Sequence, residues 1–91
     1  MRLERISFST VATRLSAVMH YPISVAQVNM LVNCWNKKRE RQGINPINFR
    51  QRVKDETAWQ KKHHRPINKE RFFFADELIL FSRYAGYDLT Q

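Results

Sequence analysis

The pattern of residues predicts a mainly α domain with a small β-hairpin; an all-α four-helix domain is the alternative. Three observations carry this expectation. Two amphipathic stretches at helical period lie three residues apart near the start, an alternating stretch and a Phe triplet follow, and a last helical pattern comes near the end. At 91 residues, 43% hydrophobic and 12% aromatic, the chain suits one globular unit with one core, spanning residues 1–91.

The first helix is expected from Ser9 to about His20, capped by Ser7 or Ser9, whose hydroxyl can accept an orphaned N–H of the first turn. Val11, Leu15, Val18 and Met19 recur at i, i+4, i+7 and i+8 and so define its core face. Tyr21-Pro22-Ile23 reads as a turn. The second helix starts with a capping box, Ser24 and Gln27, and a hydrophobic staple, Ile23 and Val28. Its core stripe is Val28, Leu31, Val32 and Trp35, and Gly43 suits the left-handed position past its end.

Residues 44–74 offer two readings. Ile47, Phe49, Gln51 and Val53 alternate with Asn48, Arg50, Arg52 and Lys54, which favours a strand over 47–53 with one basic face. Asn48 can instead cap a helix running towards His63. Arg71-Phe72-Phe73-Phe74 reads as a second short strand, whose three rings cannot all face one way. The last helix begins near Ala75, with Asp76 and Glu77 at its positive end. Phe74, Leu78, Phe81 and Ala85, joined by Leu80 and Tyr84, form its core face, and Gly86 stops it. Tyr87 and Leu89 are expected to fold back on the core.

Helix, turn, helix, strand, basic loop, strand, helix is the order of a winged helix-turn-helix. The segment Ser9–Asn36 as a helix pair, and Arg71–Phe81 as an R-F-x-x-x-D-E-L strand-to-helix junction, resemble the excisionase and MerR-like winged-helix group. The resemblance implies a second helix lying in the major groove and a wing against the DNA backbone or minor groove. Small excisionases of this group bend DNA at recombination sites of mobile elements and phages, and related proteins regulate transcription. Residues 54–70 depart from the group: they are longer than its compact wing tip and contain no glycine.

Charge points the same way. The net charge is +8, and residues 37–71 hold twelve Lys or Arg against four acids, so one third of the chain carries the whole excess. Segregation of this kind is the electrostatic footprint of a polyanion partner, here double-stranded DNA. On the second helix, Gln27, Asn29, Asn33, Asn36 and Lys37 point away from the core stripe, and Asn and Gln amides pair bidentately with adenine. Lys38 and Arg41 extend this surface. Arg50, Arg52 and Lys54, with Lys61, Lys62, His63, His64 and Arg65, are the expected phosphate contacts, which position a protein without reading sequence. Trp59 is expected in the core rather than stacked on a base. The same basic face also allows a protein-interaction module or inhibitor with an acidic protein partner, and the Phe and Trp rings allow RNA stacking.

Other chemistry finds little footing. Cys34 is the one cysteine, so no intrachain disulfide forms; this fits a reducing, cytoplasmic setting, and mid-helix it reads as a small packed residue. Met1-Arg2-Leu3-Glu4-Arg5 is not followed by the apolar run of a secretory signal, and no stretch has the length of a membrane span. His63-His64, with His20 and Cys34, lack metal-ligand spacing, so neither a metal nor a cofactor is expected. No glycine-rich phosphate loop is present, and the acidic pairs Asp55-Glu56 and Asp76-Glu77 are adjacent rather than convergent. The reading is of a binding protein, not an enzyme. No heptad seam marks a dimer.

Overall fold

A computed structural model describes residues 3–91 of the chain. The elements run β1 (Arg5–Ser7), α1 (Phe8–Met19), α2 (Val25–Arg41), α3 (Phe49–Lys62), β2 (Phe72–Phe74) and α4 (Ala75–Ala85). The fold is mainly helical, with one small antiparallel sheet.

Local chemistry explains most boundaries. Ser7 caps α1 by accepting from the Thr10 N–H at 3.2 Å, and Glu70 accepts from the Ser9 N–H at 2.9 Å. His20 ends the helix in the left-handed conformation at φ 60°. The expected capping box of α2 is complete: Gln27 N–H donates to Ser24 Oγ at 3.2 Å, and Ser24 N–H to Gln27 Oε1 at 2.7 Å. Gly43 and Gly86 take positive φ after α2 and α4, as their placement predicts. In the turn between α1 and α2, Ser16 Oγ accepts from Ile23 N–H at 2.8 Å and donates to Ala12 O at 2.7 Å.

The expected strand over 47–53 is corrected to the first turn of α3. Asn48 Oδ1 accepts from Gln51 N–H at 3.1 Å and starts a helix of fourteen residues. The strand that pairs with β2 is instead β1, in the register Arg5 to Phe74, Ile6 to Phe73 and Ser7 to Phe72. The sheet therefore joins the two ends of the domain and is not a hairpin. Four helices are present, as the all-α alternative expected, but the sheet departs from it.

Alternation along β2 sorts the three Phe rings, as a pleated strand requires. Phe73 is fully buried and meets Phe8, Trp35, Phe49 and Phe81 with centroids 5.0–5.9 Å apart. Phe72 and Phe74 lie on the opposite face of the sheet, beneath α3. There the Arg52 guanidinium sits 4.3 Å from the Phe74 ring centroid and forms a bidentate pair with Glu77, at 2.6 and 2.8 Å. Glu77 Oε1 also accepts from the Phe74 N–H at 2.9 Å, so one carboxylate both caps α4 and holds α3. Arg5 and Glu56 add a second tie at 3.0 Å.

The core comprises Phe8, Val11, Leu15, Val28, Val32, Trp35, Leu78, Phe81 and neighbours, much as the helical periods predict. Several expected core residues lie outside it: Val18, Leu31, Leu80 and Tyr84 are 36–45% exposed at the edges of their helices, and Phe74 sits on the other face of the sheet. Cys34 is exposed, so its expected packing is also corrected. Leu89 does fold back; it is fully buried, and its N–H donates to Ser82 Oγ while its carbonyl accepts from Arg14 Nη1 at 2.8 Å. Tyr87 stays exposed. Just beyond Leu89, the Thr90 N–H and hydroxyl donate to Asp88 and hold its carboxyl below the usual aspartate range.

Candidate nucleic-acid interface

With Val28, Val32 and Trp35 turned inward, the 3.6-residue period sends Met30, Asn33, Lys37 and Arg41 outward on α2. All four are exposed, Met30 at 68%. Asn29 and Asn36 lie nearer the core on one flank and are half-buried.

The expected polar residues of α2 separate into different jobs. Asn36 forms a two-bond clamp with Ile47: its Nδ2 donates to the carbonyl at 2.8 Å, and its Oδ1 accepts from the N–H at 3.1 Å. Both ends of its amide thus hold the entry to α3. Asn29 Oδ1 accepts from Arg71 Nη1 at 3.1 Å. Gln27 Oε1 is held by the cap. Asn33 is the exposed asparagine of the three.

Helix α3 carries opposite characters on its two sides. Arg52, Glu56 and Trp59 face a groove of about 790 Å³ over the outer sheet face, together with Arg5, Asp55 and Phe74. Acids and bases balance there. Arg52, an expected phosphate contact, is tied into that face by Glu77 and the Phe rings. Trp59 is half-buried outside the core cluster, against expectation, and stacks on His63 at 4.1 Å. His63 is further held by its Nδ1, 2.9 Å from the Trp59 carbonyl.

Arg50, Lys54 and Lys61 fall at i, i+4 and i+11 on the other side of α3, all exposed. None of them takes part in the ion pairs among the described residues. Lys62, His64 and Arg65 continue the positive surface past the end of the helix, where His64 adopts φ 54°. Lys61 and Lys62 also suit the dipole of the last turn.

The two halves of the predicted surface meet in a cleft of about 330 Å³, lined by Asn33, Asn36, Asn48, Arg50 and Arg71 and by no carboxylate. It joins the outward face of α2 to the start of the α3 stripe. Met30 and Arg71 were not foreseen as part of this surface. Met30 was legible from the helical count that placed Asn33; Arg71 was not, because its position depends on the pairing of β2 with a strand 65–69 residues away. Among the described residues, no three His, Cys, Asp or Glu side chains gather as metal ligands, and no helix is long and apolar enough to cross a membrane.

Comparison of the chain with protein-family models, curated proteins and solved structures found no match.

Proposed function

We propose that this protein is a sequence-specific DNA-binding domain, acting as a transcriptional regulator or as an architectural or recombination factor. In this reading α1 and α2 form a helix-turn-helix. The outward face of α2 enters the major groove, and the Arg50–Lys54–Lys61 stripe follows a phosphate strand. Asn33 reads a base edge by its amide, and Met30 supplies an apolar contact suited to a thymine methyl. The observation that carries the proposal is the carboxylate-free cleft in which Asn33, Arg50 and Arg71 come together.

The short β1–β2 pair beside a capped helix pair supports a winged-helix relationship with the excisionase and MerR-like group. In place of that group's wing hairpin this chain inserts α3, and the wing function passes to its basic stripe.

Salt-dependent binding to duplex DNA tests the proposal. About six phosphate contacts give a slope of log affinity against log salt near −5. No binding at micromolar protein, or affinity independent of salt, contradicts it. Competition with single-stranded RNA separates the RNA reading: the proposal expects duplex DNA to win. The half-exposed Trp59 in the charge-balanced groove gives the alternative of an acidic protein partner less support than the acid-free cleft gives DNA.

A further inference from the structure

A second carboxylate-free cleft, of about 280 Å³, lies between the C-terminal turns of α2 and α4, lined by Trp35, Lys38, Arg39, Gln42, Arg83 and Tyr84. Three cations share it. Arg39 Nη1 is buried without a hydrogen-bond partner among the described residues, and its guanidinium carbon stands 4.6 Å from the Trp35 ring centroid. Lys38 Nζ lies 5.6 Å from the Tyr84 centroid. Ring faces attract cations but leave their charge in place, and a buried charged group short of partners is costly.

The helix ends do not account for the cluster. The last carbonyls of α2, at Lys38, Arg39 and Glu40, already accept from the N–H groups of Gln42, Gly43 and Ile44, and Ser82 O of α4 accepts from Gly86 and Tyr87. Those carbonyls have donors without the side chains. What the cleft lacks is an anion.

We propose that this cleft is a site for a small phosphate group. Arg39 follows Trp35 by four residues and so shares its core-side face of α2. Two residues of helix, at about 100° each, put it about 160° around α2 from the outward-facing Lys37. The site therefore lies apart from the proposed DNA face and does not rest on the DNA reading above.

The test records the arginine Nε–Hε resonances of the full chain during titration with inorganic phosphate at low salt, and then with duplex DNA. Saturable movement of Arg39 and Arg83 with phosphate, lost in Arg83→Gln, is the expected result; no movement, or movement that does not saturate, overturns the site. Duplex DNA is expected to move Arg50 and to leave Arg39 in place, and movement of Arg39 by duplex contradicts the separation of the two surfaces.

Discussion

At the scale of single residues, the asparagines of α2 separate exposure from holding. Asn36 and Asn33 share a helix and a side chain, yet one is spent on the Ile47 backbone and the other faces solvent. Removing the first leaves a backbone pair without partners, so Asn36→Ala is expected to lower stability by about 1–3 kcal/mol in urea unfolding. Asn33→Ala is expected to leave stability within about 0.5 kcal/mol and to weaken binding to the preferred site by about 1–3 kcal/mol. Equal effects on stability would remove the distinction. His20 provides a second case: it holds a left-handed conformation that costs an ordinary side chain about 1–2 kcal/mol, and glycine adopts it freely. His20→Gly is therefore expected to raise the melting temperature, and a fall would show that the His20 side chain contributes to the turn. The amide types on α2 were legible in the sequence, but their division of labour was not. It depends on the Ile47 backbone reaching the helix from eleven residues away.

Helix α3 is the element on which the sequence reading and the structure part company. Period-two alternation over residues 47–53 is genuine, yet the Asn48 cap starts a helix there, and the partner of β2 is β1. The helical pattern was obscured because the inner face of α3 is mostly polar: after Phe49 it presents Arg52 and Glu56, which meet Glu77 and Arg5 across the sheet. Only the Asn48 cap hinted at this outcome. By contrast, α2 carried cap, staple and core stripe within its own sequence, and its start was legible to the residue. The consequence for α3 is weak anchoring, since Phe49 is its one buried residue. Phe49→Ala is expected to cost about 3–5 kcal/mol. It should also speed amide exchange in α3 more than in α1 or α2, because α3 has no second buried side chain to keep it in place. Uniform loss of protection across all helices would show that α3 is fully integrated in the core.

Across the whole molecule the decisive property is where charge is left unbalanced. The groove over the outer sheet face contains carboxylates with its arginines, whereas the two clefts lined by α2 contain none. Bulk composition made the +8 excess and its concentration in one third of the chain plain. It could not tell which cations the fold would neutralise, as Glu77 does Arg52. Nor could it show that Arg83, far along the chain, joins the end of α2. A surface of like charges repels itself, so polyanion binding should both neutralise and stabilise it: duplex at one hundred times its dissociation constant is expected to add about 2.7 kcal/mol. A map of backbone amide shifts on adding duplex DNA shows where the unbalanced charge is used. Changes are expected to concentrate on the outward face of α2 and along Arg50, Lys54 and Lys61, with the groove around Trp59 and Phe74 little affected. Changes centred on that groove, or no changes at all, would contradict it.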